Sequence, residues 1–187
     1  MAKLFVPILL GTVRQGRESE KVARLIAARI LDAHPEIETV IFDPRSMDLP
    51  ADEEGTALAG RNPEWQRAMS RADGLILVAP EYNHGYPGRL KEALDILLKE
   101  YVHKAVGLVG VSASWSGGTR VIEALLPVVR ELGLAVTFSD LNVPQVGDYF
   151  NADGSAKDGG SYARIDKFLA ELVWLATALK WGREHLN

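Results

Sequence analysis

The 187-residue chain contains no cysteine, which removes disulfide staples, thiolate metal sites, cysteine phosphatases and dithiol redox chemistry in one step. An excess of either charge is missing too, since 21 Lys and Arg stand against 25 Asp and Glu for a net charge of -4. Nucleic acids and anionic membrane surfaces have no electrostatic footprint on such a chain. The expected partner is a small molecule. No apolar run is long enough to span a bilayer. The first, in MAKLFVPILL, stops at Gly11 without a small-residue cleavage site and reads as a buried strand of a cytoplasmic protein. Internal repeats and low-complexity segments are lacking as well.

What is present is enough apolar sequence for one sizeable core: 47% of residues are hydrophobic, and the length argues for a single domain over 1–187. Short continuous apolar runs stand at LFVPILL (4–10), GLILVA (74–79) and AVGLVGV (105–111), which is how strands covered on both faces read. TVIF and LAVTF add two weaker strands. Helical periods lie between them. Val22, Leu25, Ile26 and Ile30 make one face, and Leu90, Ala93, Leu94, Leu97, Leu98 and Tyr101 a second. A third helix from about Gly118 turns Leu125, Val128, Val129 and Leu132 inward, with a kink or restart expected at Pro127. A last helix carries Ile165, Phe168, Leu169, Leu172, Ala176 and Leu179. Residues 44–62 and 144–160 read as surface loops. The alternation predicts an α/β fold, a five-stranded parallel sheet with helices on both faces, whose ligand belongs at the carboxyl ends of the strands.

Three loops sit at such ends. The first, GTVRQGRES (11–19), combines turn-forming Gly11 and Gly16 with the hydroxyls of Thr12 and Ser19, the fork of Arg14 and a helix start. That ensemble suits a terminal phosphate. It equally resembles an ordinary strand-to-helix turn with Ser19 as N-cap, and Arg17 is expected to face solvent. The spacing is neither a P-loop nor a dinucleotide fingerprint. The second loop, PEYNHGYPGRLKEALD (80–95), offers the backbone of Pro80, Glu81, Tyr82 and Asn83 and the Tyr82 ring as a wall for a flat heterocycle, then Pro87 as a helix start. His84 reads as a solvated loop residue. The third, SASWSGGT (112–119), places Gly117 and Gly118 at a helix start beside the hydroxyls of Ser112, Ser116 and Thr119, with Trp115 in need of cover. One phosphate site and two loops around a flat polar ring describe a mononucleotide with a tricyclic base, and FMN has that shape.

These residues resemble the NADPH-dependent FMN reductase family of flavodoxin-like proteins, which includes FMN, quinone, azo-dye and chromate reductases. The likeness runs through PILLGTVRQGRESEKVA, FDPRSMDLP, PEYNHGYPGRLKEALD and GGTR. It implies a doubly wound sheet of order 2-1-3-4-5, with Thr12, Arg14 and Ser19 on the FMN phosphate, Pro80 to Asn83 on the isoalloxazine, and Gly117 with Gly118 along its pyrimidine edge. Ser116 belongs to the same edge loop. Lys21 stands where many relatives have Asn. The resemblance further implies NADPH or NADH as co-substrate, hydride transfer through flavin N5 with no catalytic side chain and no metal, a small-molecule acceptor, ping-pong kinetics, and a homodimer or homotetramer. The competing reading is a flavodoxin-type one-electron carrier that binds FMN without oxidising NAD(P)H. The sequence leaves open both the choice of NADH or NADPH and the physiological acceptor.

Overall fold

The computed structural model describes residues 3–50, 53, 55–157 and 160–186. The parts of the two expected surface loops at 51, 52, 54, 158 and 159 lie outside those residues.

Pro7 divides the first apolar run into β1 (Leu4–Phe5) and β2 (Ile8–Leu10). The run beside it divides likewise into β3 (Ile37–Glu38) and β4 (Ile41–Phe42). The ladder continues across both breaks, because the amides of Leu4, Val6 and Ile8 donate to the carbonyls of Glu36, Glu38 and Val40 at 2.8, 2.9 and 2.9 Å. Further along come β5 (Gly74–Pro80) and β6 (Lys104–Val111). The last position is shared by β7 (Leu134–Val136) and β8 (Leu141–Val143), which pair with successive stretches of β6. The larger sheet runs β4-β2-β5-β6-β7 with β8 also on β6, β1 and β3 form a two-stranded piece, and all of these pairings are parallel. The five expected strand positions are thus filled by eight short strands, because three of the positions are interrupted. Pro7 cannot donate to a ladder, and residues 138–140 loop out between β7 and β8, leaving Phe138 93% exposed.

Alternation along the strands sorts the core into two layers. Ile8, Leu10, Ile76, Val78 and Val109 face the cluster under α1 (Ser19–Ala33) and α5 (Gly160–His185). Leu9, Leu75, Leu77, Val106 and Leu108 face the cluster under α2 (Pro63–Arg71), α3 (Gly88–Asp95) and α4 (Thr119–Glu131). The α5 layer comes so close that a Cβ at Gly107 would lie 2.5 Å from the Phe168 ring.

Four expectations change in the helices and loops. The helix from Gly88 ends at Asp95, and a separate 3-10 turn at Lys99–Tyr101 returns Tyr101 to the core while Leu98 stays 55% exposed. The helix α4 passes through Pro127 without a break. Pro127 lies on its exposed side, where water can satisfy the carbonyl that the proline leaves unpaired. The described part of 44–62 is not simply surface, since Leu49, Leu58 and Asn62 are buried around the 3-10 helix Gly55–Arg61. Likewise Val146, Phe150 and Ala156 of the second loop join the core, with Phe150 and Ala156 bridged in antiparallel fashion. Apolar residues inside polar stretches account for both corrections.

Candidate active site

The carboxyl ends of β2, β5 and β6 meet at a cavity of about 200 Å³ whose walls include Thr12, Arg14, Ser19, Pro80, Glu81, Tyr82, Ser112 and Val146. All three loops singled out by sequence contribute to it. Ser19 is the first helical residue of α1, and the N-cap is Glu18, which caps nothing with its side chain. The Ser19 hydroxyl is therefore not spent on the helix end. It is 1% exposed, and its Oγ has no hydrogen-bond partner. A buried hydroxyl left unpaired at a helix N-terminus, on a cavity wall, fits an anionic oxygen.

Thr12 is 3% exposed, and its Oγ1 lies 2.9 Å from the Tyr82 hydroxyl while accepting the Arg14 amide at 3.3 Å. The Arg14 side chain is exposed at the rim. Arg17 departs from expectation. It is buried, not solvent-facing, with its guanidinium held between Asp43 and Glu20. Hydrogen bonding to Asp43 outweighs burial and raises the Arg17 pKa further above its ordinary value. Burial pushes the Asp43 carboxyl up, but the hydrogen bonds from Arg17 and the Arg45 amide win and leave it below the usual carboxylate range.

The second loop turns tightly. Tyr82 and Gly85 exchange two backbone hydrogen bonds of 2.9 Å, with Asn83 and His84 both at positive φ between them. Asn83 is not among the residues of the cavity wall, and His84 Nε2 lies 2.9 Å from the Arg120 guanidinium. Glu81 turns inward. Its side chain is 9% exposed, its Oε2 has no partner, and its Oε1 is 3.9 Å from Arg120.

In the third loop, Ser112 and Ala113 reach the cavity whereas Ser116, Gly117 and Gly118 are not among its walls. Ser116 connects back through a hydroxyl chain, with Ser116, Ser114 and Ser112 successively 2.8 Å apart. Gly117 and Gly118 both have positive φ, and a Cβ at Gly118 would lie 2.6 Å from the Val111 nitrogen. Trp115 is 85% exposed. Val146, held by its amide to the Ser112 carbonyl at 3.1 Å, closes the remaining side and was not picked out by sequence. One apolar residue in a polar connector gives little signal. Among the described residues no cluster of metal-ligating side chains exists, and no helix is long and apolar enough to cross a membrane.

Residues 6–148 match the family described as NADPH-dependent FMN reductase. The chain belongs to that family. This FMN reductase is 27% identical over 147 residues to an NAD(P)H-dependent FMN reductase of Saccharomyces cerevisiae, an alignment covering 70% of this chain and 76% of the yeast protein. It is 27% identical over 168 residues to an FMN-dependent NADPH-azoreductase of Staphylococcus haemolyticus, covering 86% and 85% of the two chains. A quinone reductase of Escherichia coli is 34% identical over 99 residues, about half of each chain. Among solved structures, the flavoenzyme NAD(P)H:(acceptor) oxidoreductase of Paracoccus denitrificans superposes with a TM-score of 0.76 at 17% identity, over 91% of this chain and 98% of that one. A short-chain flavodoxin also superposes, with a TM-score of 0.59 at 15% identity over 94% and 99% of the chains. The shared flavodoxin-like fold therefore does not separate a reductase from an electron carrier. Family membership does. The protein is an enzyme, an FMN-dependent NAD(P)H oxidoreductase, and the electron-carrier reading is not favoured.

Proposed function

We propose that the cavity at the strand ends holds FMN with its phosphate on the first loop, and that the enzyme passes two electrons from NADPH or NADH to a small acceptor in a ping-pong cycle. The observation that carries the site assignment is the buried, unpartnered Ser19 hydroxyl at the start of α1, on the wall shared with Thr12 and Arg14. FMN, when bound, supplies the two-electron chemistry. The chain supplies binding and orientation. Thr12, Arg14, Ser19 and the positive end of α1 would hold the phosphate. Pro80, Glu81, Tyr82 and Asn83 would border the ring. Ser116, Gly117 and Gly118 belong to the loop that would face its pyrimidine edge with backbone amides and hydroxyls. No side chain is assigned a proton-transfer role.

The acceptor class follows from the open site and from relatives named FMN reductase, azoreductase and quinone reductase. Free flavin, quinones, azo compounds and chromate all suit a ring reached from solvent. A cytoplasmic location and a homodimer or homotetramer complete the reading. The exposed Trp115 of the third loop supports assembly, because an exposed large apolar group beside a site favours cover by another subunit.

The test is uptake of FMN by the purified protein, followed by initial-rate kinetics with NADPH and NADH against a quinone and an azo dye. Parallel double-reciprocal lines and flavin-dependent oxidation of either pyridine nucleotide are expected. Bound FMN with no pyridine-nucleotide oxidation by any acceptor would overturn the reductase assignment. Light scattering at micromolar concentration tests assembly, with a monomer mass as the contrary result.

A further inference from the structure

Arginines beside a phosphate loop invite one reading, that they bind the phosphate. Arg17 does not fit it. A guanidinium has five N–H donors, and here all five are taken. Nε and one Nη2 hydrogen go to Glu20 Oε2 at 3.1 and 3.0 Å, Nη1 donates to Asp43 Oδ1 at 2.9 Å and to the Thr12 carbonyl, and the other Nη2 hydrogen goes to Asp43 Oδ2. The side chain is 3% exposed and its charge is met by two carboxylates. It has nothing left to offer a ligand.

What Arg17 does hold is the loop itself. Its bond to the Thr12 carbonyl has two neighbours, because Arg45 Nε donates to the Val13 carbonyl at 2.9 Å and Arg45 Nη2 to the Arg14 carbonyl. Three consecutive carbonyls of the first loop are thus captured by two guanidinium groups. Asp43 sets both arginines, since its Oδ1 also accepts the Arg45 amide at 2.9 Å and so fixes the turn that presents Arg45. The described chain contains no cis peptide, so each captured carbonyl turns the following N–H the opposite way. The Val13 and Gln15 amides, which follow two of those carbonyls, donate to no acceptor among the described residues.

We propose that Arg17, Asp43 and Arg45 form a clamp on the carbonyls of the loop that turns its backbone amides toward the phosphate site, and that Arg17, although it reaches the cavity wall, acts with the other two as a positioning residue because its donors are already spent. This rests on the FMN reading given above and adds to it a function for the FDPR stretch after β4. Preorganised amides lower the cost of binding an anion, because the loop need not reorder when the ligand arrives.

The experiment measures FMN and riboflavin affinities of the full chain by flavin fluorescence, alongside thermal unfolding of the flavin-free protein, for Arg17→Ala, Asp43→Asn and Arg45→Ala. FMN affinity is expected to fall about tenfold in Arg17→Ala and about threefold in Arg45→Ala, with riboflavin changed less than about twofold. Arg45 is exposed, so its variant should fold even where Arg17→Ala does not, and its FMN-to-riboflavin ratio then decides the matter. FMN and riboflavin affinities falling together, or an unchanged ratio with only a lowered unfolding temperature, would overturn the clamp and leave the FMN reading intact. Wild-type protein that binds no FMN would overturn both.

Discussion

The Tyr82 hydroxyl and the Thr12 hydroxyl lie 2.9 Å apart, tying the loop after β5 to the loop after β2 across 70 residues of sequence. The proposed ring-binding and phosphate-binding segments are thereby one mechanical unit before any ligand arrives. Tyr82→Phe keeps the ring wall and removes the tie. It is expected to lower the unfolding free energy of the flavin-free protein by about 0.5–1.5 kcal/mol, read by urea denaturation. FMN should then lose more affinity than riboflavin, since the ring wall is kept and the group set free is Thr12 of the phosphate loop. Equal losses for both flavins would mean that Tyr82 acts through the ring wall instead.

Arg14 is the cation at the cavity with its side chain unspent, in contrast to Arg17. Arg14→Ala should weaken FMN binding by about 1.5–3 kcal/mol, the range of a hydrogen bond to a charged group. Riboflavin affinity should barely move. Equal losses for both flavins would remove Arg14 from the phosphate site.

How much of this was legible in the sequence depended on the distance over which each feature is decided. The runs that became β5 and β6 were readable because a strand covered on both faces is apolar at every position. The glycines and hydroxyls of the three loops were readable because turn chemistry is local. Arg17 was misread because its burial depends on Asp43, which follows a different strand. The helix α2 was overlooked although Asn62 and Pro63 form a good start and Trp65, Ala68 and Met69 fall on one buried face. Its polar flanks hid it. Val146 enters the cavity only through tertiary packing of the connector against Ser112, which no periodicity announces.

Ser19→Ala separates stability from binding. The Ser19 hydroxyl is buried and unpaired, so removing it spares the flavin-free protein a desolvation cost of about 1 kcal/mol or leaves its stability unchanged. FMN affinity should nevertheless fall by about 0.5–1.5 kcal/mol, the worth of one hydrogen bond. Calorimetric unfolding with and without FMN measures both halves. A destabilised flavin-free variant with normal FMN affinity would show that Ser19 serves the helix start instead.

At the opposite end of the sheet from the cavity, Lys104 opens β6 at 6% exposure and donates from Nζ to the carbonyls of Met69 and Ser70, the latter at 3.1 Å. Those carbonyls belong to the last turn of α2, where a cation is favoured by the helix dipole. Burial is nevertheless the larger influence, with the Arg183 charge adding to it and Asp73 and Glu100 opposing, and the Lys104 pKa is pushed down from 10.5 to about 8. The sign then follows. Between pH 8 and pH 10.5 the unfolded chain keeps the Lys104 proton while the folded chain has lost it, so stability from this group rises with pH across that window. Below pH 8 the folded protein carries the full cost of the buried ammonium. Other groups titrate in the same range, so the comparison is with Lys104→Met, whose stability lacks this contribution. From pH 7.5 to pH 10 the unfolding free energy of the wild type should gain roughly 1–3 kcal/mol on that variant, measured by urea denaturation at each pH. A constant difference between the two proteins would mean that Lys104 titrates near its ordinary value and that its two carbonyl partners fully compensate its burial.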